Sequence, residues 1–80
     1  MNSQLEIEAV AETQHEIWSH WMRYLLSVCR LNEDGSWTIP ADKAERWRRQ
    51  MATEYQGLSE SEKDSDREQA AKVLNVIMNL

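Results

Sequence analysis

From Gln4 to Leu31 the chain contains neither a glycine nor a proline, and the whole of its 80 residues holds only Gly35, Gly57 and Pro40 as breakers. Few turns can be built from such material, so long helices joined by short connections are the natural outcome. Within the first run, apolar or small residues recur at Ile7, Val10, Ala11, Trp18, Trp21, Met22, Leu25, Val28 and Cys29, which is helical spacing interrupted only by Gln14. Ile17, Tyr24 and Leu31 form a second, flanking stripe, so the C-terminal half of this helix is apolar around most of its circumference. Such a segment needs cover from two other helices or from another molecule.

Asn32-Glu33-Asp34-Gly35-Ser36 collects turn formers that end the first helix, and Trp37-Thr38-Ile39 reads as a short extended connector. Pro40 suits the first turn of a helix, where its missing N–H costs nothing. A second helix then runs to about Ala52, with Ala44, Trp47 and Met51 on its inner face and Lys43, Arg46 and Arg49 on its outer face. Tyr55-Gln56-Gly57-Leu58 breaks it. Ser59 and Glu62 have the spacing of a capping box, and Glu60, Glu62 and Asp64 place negative charge at the positive end of a third helix dipole. The core stripe of that helix is Ala70, Val73, Leu74 and Ile77, with Met78 at its margin. The expectation is a single all-α domain over residues 1–80. It is a three-helix arrangement with helices at about 4–31, 40–52 and 60–79, a long first helix and a short extended linker.

A core this small is marginal unless its helices pack well or the chain associates with itself, which makes a homo-oligomer a standing expectation. The four tryptophans, with no phenylalanine, supply much of the apolar area. A formal net charge of −5 speaks against direct nucleic-acid binding, which needs a basic surface to displace counterions from phosphates. With Cys29 the one cysteine, neither an internal disulfide nor a cysteine-only zinc site can form. Met1-Asn2-Ser3-Gln4-Leu5-Glu6 lacks the basic start and apolar run of a secretory signal, and no stretch approaches a membrane span. A bacterial cytoplasm is the expected location, and no membrane partner is expected.

The chain offers little catalytic apparatus. His15 and His20 are five residues apart, about 140° round a helix, so they do not share a face as a metal-binding pair must. Cys29 has no base beside it in sequence and reads as a buried, inert thiol. There is no Gly-rich phosphate loop and no nucleophile elbow. No catalytic residue, metal site or cofactor is therefore assigned, and the chain is expected not to be an enzyme. Two clusters carry binding chemistry. Arg46 and Arg49 with Lys43 are the one local excess of positive charge, either an anion contact or a solvated helix face balanced by Asp42 and Glu45. Trp18, Trp21 and Tyr24 are either core or a hot spot for a partner. Asp66 and Arg67 read as a structural ion pair or an inter-helix hydrogen bond.

Two segments are similar to a known family. Ile7-Glu8-Ala9-Val10-Ala11-Glu12, followed by His15-Glu16-Ile17-Trp18, resembles the opening helix of ryanodine-receptor-type repeat domains, which occur in bacterial and phage proteins as well as in the calcium channel. Tyr55, then Leu58-Ser59-Glu60-Ser61-Glu62-Lys63, then Asp66-Arg67 and Ala70, resembles the closing segment of the same family. The likeness covers about half of the chain. The family's glycine-tryptophan hairpin and the His-Pro before its tyrosine are missing; the central Trp37-Thr38-Ile39-Pro40 and Trp47-Arg48-Arg49-Gln50-Met51 look more like small proteins of bacteriophages and mobile elements.

Three functional expectations follow. The first is a non-enzymatic phage or mobile-element interaction protein that inhibits a bacterial defence complex by binding it, through Trp18, Trp21, Tyr24, Glu60, Glu62 and Asp64. The second, implied by the family resemblance, is a nucleotide-binding module or sponge in which Trp18, Trp21 or Tyr55 stacks a base and Arg46, Arg49 or Lys43 holds phosphate. The third is a structural homo-oligomer using the stripe of Ile17, Tyr24 and Leu31.

Overall fold

The computed structural model describes residues 3–80, so the reading of Met1 and Asn2 lies outside the described residues. The fold is mostly α-helical. Helix α1 spans Ser3–Val28, strands β1 (Arg30–Leu31) and β2 (Trp37–Thr38) form an antiparallel hairpin, and helix α2 spans Ala41–Met51. A 3-10 turn at Tyr55–Gly57 leads into helix α3, Glu60–Met78. Helix α1 stops at Val28 rather than at Leu31, because Arg30 and Leu31 pair with Thr38 and Trp37. The extended connector is thus one strand of a hairpin. Its loop closes by a Gly35 N–H donating to the Asn32 carbonyl at 3.1 Å, and an Asn32 N–H donating to the Ser36 carbonyl at 2.8 Å. Gly35 has φ of +89°, the left-handed residue that follows the tight turn in a three-residue hairpin loop. Asn32 Nδ2 also donates to the Ser36 and Thr38 hydroxyls, which ties the loop to β2.

Pro40 sits one residue outside α2, as its N-cap, and its carbonyl accepts from Ala44 N–H. The capping box at the start of α3 forms: Ser59 Oγ accepts from the Glu62 N–H at 3.2 Å, and Glu62 Oε1 accepts from the Ser59 N–H at 3.0 Å.

Helices α1 and α3 pack on each other. The seam comprises Thr13 and Ile17, both buried, with half-buried Val10 and Trp21 on α1. Its α3 side is buried Gln69 with half-buried Glu62, Asp66, Val73 and Val76. Both sets recur every three or four residues, so each marks one helix face. This revises the expected core. Ile17 is the one buried hydrophobic residue among those described, at 9% exposure, and lies at the centre of the seam instead of on a flanking stripe. Leu31 is exposed, as are Ile7 and Trp18 of the expected main stripe. On α3, Ala70, Leu74, Ile77 and Met78 are exposed and only Val73 is partly covered. The reason is that α3 meets α1 along its Asp66-Gln69-Val73 edge, leaving its most apolar side facing out. Cys29 is half-buried, at the bend after α1, not fully buried. No helix among the described residues is long and apolar enough to cross a membrane.

Candidate functional site

The C-terminal half of α1, the C-terminal half of α2, the 3-10 turn and the first half of α3 enclose an open cleft of about 1150 Å³. Its formation follows from the short connections: the hairpin turns the chain back so that α2 lies beside the end of α1, and the 3-10 turn brings α3 in close to both. Aromatic contacts bridge α1 to α2. The Trp21 and Tyr24 rings meet edge to face at 6.4 Å between centroids, Tyr24 meets Trp47 at 6.4 Å, and His20 lies against Trp21 at 4.8 Å. Arg46 of α2 reaches across and donates from Nη2 to the Tyr24 hydroxyl at 2.9 Å. On the opposite wall, Arg49 Nη2 lies 3.9 Å from Glu62 Oε2.

The cleft therefore unites residues from both candidate clusters. Trp21, Tyr24, Arg46, Arg49, Tyr55 and Glu62 line it together. Trp18 and Lys43 do not line it: Trp18 stands on the exposed side of α1, stacked against His15 at 5.9 Å, and Lys43 is half-buried on α2. Glu60 and Asp64 lie outside as well and are neutralised within their own helix. Arg67 Nη1 donates to Asp64 at 2.8 Å and to Glu60 at 3.1 Å, so Arg67 pairs with these two and not with Asp66. Asp66 is half-buried and lines the cleft.

Electrostatics follow from these bonds. The Ser59 backbone N–H, then the Ser59 side chain, hold the Glu62 carboxyl below its ordinary value. The Arg67 guanidinium does the same to Glu60, with Lys63 contributing, and the carboxylates of Asp64 and Glu60 raise Arg67 further into its charged form. Lys63 Nζ stands 5.7 Å from the Tyr55 ring centroid, within cation–π range.

The outer face expected for Lys43, Arg46 and Arg49 is thus not one solvated face. Arg46 and Arg49 remain exposed, yet their guanidinium groups point across the cleft to α1 and α3. Met51, expected on the inner face of α2, is 81% exposed, because the cleft is open beneath the last turn of that helix. Sequence reasoning missed Trp47 as a wall of the site, having assigned it to the core. The local signal was its place within the basic stretch Arg46-Trp47-Arg48-Arg49. The proximity of Asp66 depends on the packing of α3 and leaves no local signature. No protein-family model, curated protein or solved structure matches this chain.

Proposed function

We propose that this chain is a non-enzymatic binding protein that grips a segment of another polypeptide in the cleft between α1, α2 and α3. The observation that carries this reading is the composition of the cleft: Trp21, Tyr24, Trp47 and Tyr55 with Arg46 and Arg49. Tryptophan, tyrosine and arginine are the residues in which protein–protein hot spots are richest, since each combines a large apolar body with a polar end. Small-molecule pockets bury most of their ligand in about 300 to 1,000 Å³. A cleft of about 1150 Å³ whose walls include exposed Tyr24, Arg46, Arg49 and Tyr55 suits a chain segment better. In the phage or mobile-element setting that the sequence resemblance suggests, such a protein would act by occupying a surface of a host defence complex. Because Glu60 and Asp64 are paired with Arg67, the acidic start of α3 is a weaker candidate for that contact than the cleft.

The test compares proteins co-purified from the native cell by the tagged wild type with those retained by Tyr24→Ala and Arg46→Glu. Loss of a hot-spot side chain weakens binding by about 2 kcal/mol, roughly 30-fold, so a true partner is retained by the wild type and lost by both variants. Identical profiles for all three proteins would remove the cleft from consideration.

A nucleotide is the second reading, favoured by the two arginines beside aromatic rings and by the ryanodine-receptor-type resemblance. Native mass spectrometry with adenine and cyclic nucleotides separates the two. A stoichiometric adduct with the wild type that is absent with Arg49→Ala supports the nucleotide, and no adduct with any of them rejects it.

A further inference from the structure

We infer that this chain forms a two-fold homodimer through a face built from Ile7, Ala11 and Trp18 of α1 and Ala70, Leu74 and Ile77 of α3. This face is distinct from the cleft, and the inference stands apart from the cleft's occupant. At 3.6 residues per turn, successive side chains are about 100° apart. On α1, Ile7, Ala11 and Trp18 lie roughly 80 to 120° round from buried Ile17, in the direction of increasing residue number. On α3, Ala70, Leu74 and Ile77 lie roughly 80 to 140° round from buried Gln69 in the same sense. The two helices meet with opposed directions, since the C-terminal half of α1 and the N-terminal half of α3 line one cleft. An equal rotation on two opposed helices turns both stripes to the same side of their seam. All six residues are exposed, Ile7 at 61%, Trp18 at 55%, Leu74 at 58% and Ile77 at 53%.

The dimensions say how much must be covered. A folded monomer of 9.4 kDa exposes about 5,000 Å² on average, whereas this chain exposes 6476 Å². Its radius of gyration is 16.0 Å, against about 12 Å for a compact domain of its length. The thinnest dimension, 16 Å, is about that of two packed helices, and a stable core needs layers on both sides of its apolar surface. That surplus of about 1,500 Å² is spread over the whole chain, the open cleft included, and a standard dimer interface needs about 800 Å² of it per copy.

A second copy fits this face for two reasons. None of the six side chains is ionisable, so two chains of formal charge −5 can meet there without opposing charges. A two-fold axis parallel to the helices lays the α1 half of one copy, with Trp18, against the aliphatic α3 half of the other, so the face is complementary to itself.

Sedimentation equilibrium of the full chain tests this. The wild type is expected at twice 9.4 kDa at micromolar concentration. Leu74→Asp, which puts a charge in the face, is expected to weaken the dimer by about 30-fold or more, while Ala71→Asp, on another side of α3, is expected to leave the mass unchanged. Since a monomer without its second layer could lose its helices, the wild type is also diluted through the micromolar range, and mass and far-ultraviolet helicity are expected to fall together. A helical 9.4 kDa monomer throughout, or a Leu74→Asp variant as dimeric as the wild type, overturns the proposal. Tyr24→Ala and Arg46→Glu are expected to stay dimeric, so failure of the cleft reading and failure of the dimer appear in different experiments.

Discussion

Gln69 occupies the centre of the α1·α3 seam at 6% exposure, and its Oε1 has no hydrogen-bond partner. A buried acceptor left unmatched costs about 1 to 3 kcal/mol. Gln69→Leu removes that acceptor at nearly constant volume beside Ile17, and is expected to stabilise the fold by roughly 1 kcal/mol. Thermal unfolding should show a midpoint higher by about 4 to 8 °C; a lower midpoint would mean that Oε1 is satisfied in solution. The polar seam explains why counting apolar residues misplaced the core. Thr13 meets part of its own demand by donating to the Ala9 carbonyl at 3.1 Å, which lets a hydroxyl sit in a buried position that hydropathy gives no reason to choose. Ile17 stood on the less populated of two apolar stripes, yet it is the member of that stripe that is buried in the seam.

Local chemistry was legible at the scale of elements. The long first helix, the breaking segment at Tyr55–Leu58, the capping box and the acidic first turn of α3 were each readable because their causes lie within a few residues. The hairpin was half legible: Asn32–Ser36 announced a turn, but the pairing of Arg30 with Thr38 joins residues whose separate sequences show no alternation. Ser59→Ala is expected to cost about 1 kcal/mol of stability and to fray the start of α3, seen as lost amide protection there. The pH dependence has a definite sign. Glu62 has a native value lowered from 4.5, so the stability it contributes is fully present above 4.5 and is lost as pH falls through the lowered native value. Acid titration followed by circular dichroism should therefore show helix loss below pH 4.5, with that part of the titration absent in Glu62→Gln.

At the scale of the whole molecule, the dominant fact is how little of it is enclosed. Helix α1 and helix α3 share one seam, α2 is held mainly by the Tyr24–Trp47 contact and the Arg46 hydrogen bond, and several large apolar side chains face outward. Stability of a chain that folds with its partner depends on concentration by mass action. The unfolding midpoint of the wild type is expected to rise measurably with each tenfold increase in protein concentration, and a midpoint constant across that range would mark an autonomous fold. Of the candidate site, Trp21, Tyr24, Arg46 and Arg49 were singled out from residue type and Tyr55 through the family resemblance, but their union in one cleft with Glu62 arises from contacts between residues far apart in the chain.

By itself the sequence determined the helices, their caps, their breaks and the excess of apolar side chains over what so short a chain can enclose, because these depend on intrinsic propensity and on neighbours within one or two turns. Only the tertiary structure decided which apolar stripe was covered, which was left open and which wall of the cleft each arginine joined. Those outcomes are set by the angle at which α3 meets α1, and many residues distant in sequence fix that angle together.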